Sequence, residues 1–316
     1  MLFSSMKKGL LVGLKTTWSL SKIIFPITLI VSLLRHTPVL PWIIHLIEPI
    51  MGWFGLSGDA AIPLVIGNFL NLYAGIGAIL SLDLSVKEVF ILAVMLSFSH
   101  NLLVESSVAI RVGVKPWIIL VVRMGLAVVS AFIINLVWHG GSEIAKYGFI
   151  PEKEPVEVTG FFNILMEGFE KAGLGIFQLA IIVIPLMIGI QLLKDIGWLA
   201  TFSKWMSPIT KMLGMKENTS TTLASGLLFG LAYGAGVMIQ QVQEDGVSKK
   251  DITLAFIFLV ACHAVVEDTL VFIPLGIPVL PLLIIRISAA VLLTLVIGFM
   301  WNRSNVAKRK ETVYES

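Results

Sequence analysis

Apolar residues in this chain are gathered into long blocks, with polar residues collected between them. The blocks cover about residues 17–35, 60–82, 86–110, 114–138, 174–194, 219–240, 252–272 and 277–301. At a rise of about 1.5 Å per residue, runs of this length cross a hydrocarbon layer of roughly 30 Å as helices. The pattern predicts an all-α polytopic membrane protein with no soluble domain. Two further stretches, 39–55 and 197–214, are too short and too charged to span, and are predicted to lie in the membrane interface as amphipathic helices. "SVKE" and "SKKD", beginning at Ser85 and Ser248, read as capping boxes that start a helix.

The same blocks are written twice. At an offset of 159 residues Pro26 falls on Pro185, Pro49 on Pro208, Gly55 on Gly214, Gly67 on Gly226, Gly75 on Gly234 and Gly77 on Gly236. Beyond residues 78–84 the offset becomes 163, where Ser85 meets Ser248, Glu88 meets Asp251, His100 meets His263, Glu105 meets Asp268, Gly113 meets Gly276 and Arg123 meets Arg286. Shared apolar positions arise by chance in membrane proteins; shared His, acidic, Arg, Pro and Gly positions do not, so the pattern predicts two homologous repeats, 17–138 and 174–301. Residues 1–16 read as an amphipathic lead-in, because "GLLVGL" after Lys7 and Lys8 is short and no A-x-A-like site follows it. Residues 139–173 read as a connecting loop with an interfacial segment, and 302–316 as a basic tail.

Charge sets the orientation. The 316 residues are 57% hydrophobic and 14% charged, with a net charge of +3 and a mean hydropathy of +0.93. Lys7, Lys8 and Lys15 at one end and Arg303, Lys308, Arg309 and Lys310 at the other place both termini in the cytoplasm. The loop 139–158, with Glu143, Glu152, Glu154 and Glu157, is then external to the cell (inner) membrane. Each half must cross an odd number of times, so the repeats are inverted, and one of the four long segments per half must be re-entrant or broken. The polar third segment is the expected place, since irregular backbone at depth is tolerated where it lines a cavity.

That segment reads "SFSHNLLVESS", residues 97–107. On an unbroken helix Ser97, Asn101 and Glu105 share one face at i, i+4, i+8, with His100 beside it. The second half supplies His263, Glu267 and Asp268, and Arg123 and Arg286 are the natural charge partners. An ionisable group at bilayer depth costs about 2.5–3.5 kcal/mol or more, so such groups face the protein interior and mark pathways. Two readings stand: acid–arginine struts that hold helices together, or a binding site for a polar ligand. Asn68, Asn71 and Tyr73 in "GNFLNLYAGIG" and Tyr233 in "GLLFGLAYGAG" join the candidate ligand set, while the glycines there suit close helix packing. Neither a phosphate-binding glycine loop nor G-x-S-x-G is present, so no enzyme is predicted. Cys262 is alone, and the His and carboxylate spacings do not form a metal signature, so no metal and no cofactor are predicted.

"SHNLLVESSVAIRVG", "CHAVVEDTLVFIPLG", "GNFLNLYAGIGAI" and "GLLFGLAYGAGVM" resemble the two copies of the nucleoside-recognition Gate domain, over about residues 20–300. Related domains occur in concentrative nucleoside transporters, in the membrane part of ferrous-iron transport protein B and in spore maturation membrane proteins. The resemblance implies two inverted helical halves with hairpin-like broken elements, and makes His100, Asn101 and Glu105 the positions that stand in for ligand-binding polar residues. The expected function is transport of a small polar or anionic organic solute, nucleoside-like solutes included, coupled to protons or sodium. The expected partners are the lipid bilayer and that solute, with a homo-oligomer or second Gate-domain protein as a further partner and no nucleic acid. The rival expectation is a membrane scaffold or assembly factor.

Overall fold

The computed structural model describes residues 2–35, 37, 39–148, 160–244 and 246–314. Among them the chain is helical without strands; a single isolated antiparallel bridge joins Ser85 and Ile144. In chain order the α-helices are α1 (Leu2–Arg35), α2 (Val39–Gly52), α3 (Ala61–Phe69), α4 (Leu72–Ile79), α5 (Val86–Ser99), α6 (Leu102–Arg111), α7 (Pro116–Val137), α8 (Phe161–Asp195), α9 (Trp198–Met212), α10 (Ser220–Glu244), α11 (Lys249–Ala261), α12 (Glu267–Leu270) and α13 (Val279–Tyr314). Five segments among the described residues are long and apolar enough to cross a membrane: Leu2–Val31, Val86–Arg111, Pro116–Val137, Phe161–Asp195 and Val279–Arg303. The second of these is 83% enclosed by protein against 22% for Pro116–Val137, so the polar segment is shielded from lipid while its neighbour is not.

The two capping boxes differ in how fully they form. Ser85 accepts from the Glu88 amide at 3.3 Å, and the Glu88 carboxylate accepts in return from the Ser85 amide at 2.9 Å. Ser248 accepts from the Asp251 amide at 3.1 Å. The interfacial segments form α2 and α9, which carry exposed Trp42, Leu46 and Ile50, and Trp205 and Met212, as suits a helix lying at the headgroup level.

α1 runs unbroken from Leu2 into the first span, α8 opens at Phe161, and α13 continues through residues 302–314. Residues 149–159, with Glu152, Lys153, Glu154 and Glu157, lie outside the described residues.

The chain divides into two compact units. The first comprises residues 1–103, 124–196 and 266–283. In it α1 and α8 run antiparallel in close contact: a Cβ on Gly9 would stand 2.6 Å from Ile188 Cα, and one on Gly13 2.9 Å from Ile184 Cα. Further along, the Phe25 ring meets Phe169 edge-on, at 5.1 Å between centroids. Glycines permit that approach of backbones. The expected helix 60–82 is broken at Leu70–Asn71 into α3 and α4, which fold back on each other. A Cβ on Gly75 would lie 3.0 Å from Gly67 Cα, although eight residues of straight helix span about 12 Å.

The second unit comprises residues 104–123, 197–265 and 284–316. Here α9 and α11 pack on α10. The backbone of α10 is interrupted at Gly230 (φ 73°, ψ 175°), and a Cβ on Gly234 would sit 3.1 Å from Ser225 Oγ. Nine residues of unbroken helix would separate these by about 13 Å, so α10 also folds back on itself.

Candidate functional site

The third segment of each half is interrupted where its histidine stands. α5 ends at Ser99, and Asn101 takes a left-handed conformation (φ 54°) before α6 begins at Leu102. α11 ends at Ala261, and Ala264 is left-handed as well (φ 42°). Two bonds secure each break. The Asn101 amide donates to the Gly67 carbonyl at 2.9 Å, and the Ala264 amide donates to the Gly226 carbonyl at 3.0 Å. His100 Nδ1 lies 2.7 Å from the Leu96 carbonyl oxygen and His263 Nδ1 2.9 Å from that of Leu259. The Leu96 side chain also packs on Gly67 and Gly75, and that of Leu259 on Gly226. These leucines hold hairpin and break together, which sequence reasoning missed; the signal was there, since each precedes its histidine by four residues and they match at the offset of 163.

The break changes the face on which the candidate residues stand. Ser97, Asn101 and Glu105 do not share one, because the helix that would align them ends at Ser99. Ser97 is fully buried with its hydroxyl donated to Val94 oxygen at 2.7 Å, so it serves the helix backbone. Asn101 suits the left-handed position, which asparagine tolerates better than most residues.

In the second unit Glu105, Arg123, His263 and Arg286 form a buried chain, none more than 3% exposed. Glu105 Oε2 meets Arg123 Nη1 at 2.6 Å, and Glu105 Oε1 faces His263 Nε2 at 3.2 Å. Arg286 Nη2 donates to the His263 carbonyl oxygen at 2.7 Å. Glu105 and Arg123 thus form the acid–arginine pair expected from sequence. The bond from Glu105 to His263, 158 residues away, was not foreseen.

This geometry fixes a proton inventory. A carbonyl oxygen only accepts, so His263 Nδ1 carries a hydrogen and Nε2 is the nitrogen left to face Glu105. A hydrogen bond between Nε2 and Oε1 then needs one further proton, held either by an imidazolium or by the Glu105 carboxyl. Without it, a lone pair faces a carboxylate.

The remaining candidates, Tyr233 apart, lie in the first unit. Tyr73 donates to Glu267 Oε1 at 2.5 Å, with Glu267 and Asp268 buried in α12. Asn71 caps α4, its Oδ1 accepting from the Ala74 amide at 2.9 Å. Asn68 stands on α3 with an enclosed Oδ1 that has no hydrogen-bond partner among the described residues. Tyr233 belongs to α10, but its side chain lies outside the described residues.

A family model described as Gate, nucleoside recognition, matches residues 17–115 and 176–287, two stretches that carry both histidine breaks. The chain belongs to the Gate family. This Gate protein is 65% identical over 295 residues to the uncharacterized membrane protein YvoD of Bacillus subtilis (strain 168), covering 93% of this chain and 94% of that one. No solved structure matches it. Family membership and the five apolar segments make it a membrane-embedded helical protein.

Proposed function

We propose that this Gate protein is a transporter of the cell (inner) membrane for a small polar or anionic organic solute, nucleosides among the candidates, and that its cycle is coupled to protons. The observation that carries the reading is the buried Arg123–Glu105–His263 chain, a site to which both halves of the sequence contribute. Its arginine offers charge to an anion, and its acid–histidine pair binds one exchangeable proton. Inverted repeats suit alternating access, and the antiparallel packing of α1 on α8, whose prolines Pro26 and Pro185 match at the 159-residue offset, supports that architecture. Both termini are cytoplasmic in this reading. The chemistry is binding and translocation, not catalysis.

The test is uptake into proteoliposomes of nucleosides, nucleobases, amino acids and carboxylates under an imposed proton gradient. Gradient-dependent uptake of one class, lost in Glu105→Gln, is the expected result; no uptake of any class under proton or sodium gradients sinks the transport reading. A scaffold role is the second reading, favoured by the directness of the Glu105–Arg123 pair. The exchange Glu105→Arg/Arg123→Glu separates them, since a strut regains fold and function together whereas a transport site regains the fold alone.

A further inference from the structure

The two capping acids, matched at the offset of 163, have different fates. Glu88 is satisfied at both oxygens: Oε1 accepts from the Ser57 amide at 2.8 Å, and Oε2 from the Ser85 amide at 2.9 Å and hydroxyl at 2.7 Å. Asp251 is one methylene shorter and 2% exposed, and its Oδ2 has no hydrogen-bond partner among the described residues. The neighbouring Lys250 ammonium is engaged elsewhere, with Gly214 oxygen at 3.0 Å and Asn302 Oδ1 at 2.8 Å.

The turn and helix start that precede Gly226 hold a group of buried hydroxyls. Thr219 and Thr222 are fully buried, Ser220 is 3% exposed and Ser225 fully buried, and none of their oxygens has a partner among the described residues. At the offset of 159 these positions correspond to Ala60, Ala61, Pro63 and Ile66, so every one of the hydroxyls stands where the first half is apolar. Thr219 ends a short 3-10 turn, Glu217–Thr219, that packs against α11, near whose start Asp251 lies. Thr219 and Thr222 precede Gly226 by seven and four residues and share the face on which Gly226 meets Leu259 of α11. Dispersed by chance, unpartnered buried hydroxyls are a burden on the fold. Set near a buried carboxylate, such hydroxyls can act as oxygen ligands.

We propose that Asp251, Thr219 and Thr222 form a binding site for a monovalent hard cation, sodium. One carboxylate among neutral hydroxyls carries a single negative charge, which a monovalent ion neutralises and a divalent ion exceeds. Hydroxyl and carboxylate oxygens are the ligand class that hard cations take. The site stands apart from the Glu105–His263 pair and does not depend on the transport reading.

The test measures the melting midpoint of the purified full chain at pH 7.5 in sodium, potassium or choline chloride at equal ionic strength, together with direct binding of radioactive sodium. The expected result is a saturable rise of several degrees in sodium, smaller in potassium and absent in choline, because a ligand bound by the folded state stabilises it. Asp251→Asn and Thr219→Ala/Thr222→Ala should each lose most of that rise and the bound radiolabel. The double alanine variant also loses two buried methyls, so its sodium response is read against its own midpoint in choline and not against the parent's. If Asp251→Asn does not fold, radiolabel bound by the parent and lost in the double variant carries the test. Equal midpoints in all three salts, a sodium response unchanged in the double variant, or stabilisation by lowered pH without any sodium response overturns the proposal.

Discussion

The Gly67 carbonyl oxygen accepts the backbone amide of Asn101 at 2.9 Å, and this bond joins the α3–α4 hairpin to the break between α5 and α6. Gly226 and Ala264 repeat it at 3.0 Å. The first positions matched by the 159-residue offset thus meet the later positions matched by the 163-residue offset, within each half. The polar breaks are therefore built parts of the fold, with their freed backbone groups satisfied as burial in a membrane demands.

The hairpin depends on glycine. A Cβ on Gly67 would stand 2.5 Å from Leu96 Cδ2, a flexible tip, whereas one on Gly75 would meet Gly67 Cα at 3.0 Å and Pro63 oxygen at 3.2 Å. Gly75→Ala should therefore destabilise more than Gly67→Ala, by about 1–3 kcal/mol. Leu96→Ala should recover part of the loss in Gly67→Ala and little of that in Gly75→Ala, as read from thermal melting of the purified proteins.

Ala264 bears a left-handed φ of 42° without the tolerance of asparagine or glycine. Ala264→Gly is expected to raise stability by about 0.5–1 kcal/mol if the break is kept. Asn101→Val, a branched side chain at φ 54°, should lower it by a larger amount. Denaturant midpoints of the two variants would move in opposite directions.

Removing one partner of the buried pair leaves the other unpaired. Arg123→Met should cost about 3–5 kcal/mol, visible as lost folded yield, and Arg123→Met/Glu105→Met should recover most of it. His263→Gln, in contrast, keeps the Glu105–Arg123 contact and should fold, while losing the exchangeable proton. Proton release on solute addition, followed with a pH dye in weakly buffered vesicles, is expected from the parent and absent from His263→Gln.

Asn71 serves as an N-cap, so Asn71→Ala should lose about 1 kcal/mol and Asn71→Ser or Asn71→Asp should retain it. The apparent affinity for a transported solute should be the same in all three. A tenfold loss confined to the alanine variant, with stability unchanged, would mean the side chain contacts the solute instead.

The sequence by itself determined the helical membrane class, the capped starts at Ser85 and Ser248, the matched His, acid and Arg positions and the Glu105–Arg123 pairing. These are legible because spanning length, caps and charge compensation are set locally or by the general cost of burying a charge. Only the tertiary structure decided where the second segments fold back, at Asn71 and Gly230, and that Ser97 and Asn71 serve the backbone. It also decided that Glu105 reaches His263 of the other half. Those outcomes rest on contacts between residues far apart in the chain, such as Leu96 on Gly67 and Gly75, which helical periodicity does not encode. A glycine reads the same whether it packs two helices or the two arms of one bent helix, and only the packing partner tells them apart.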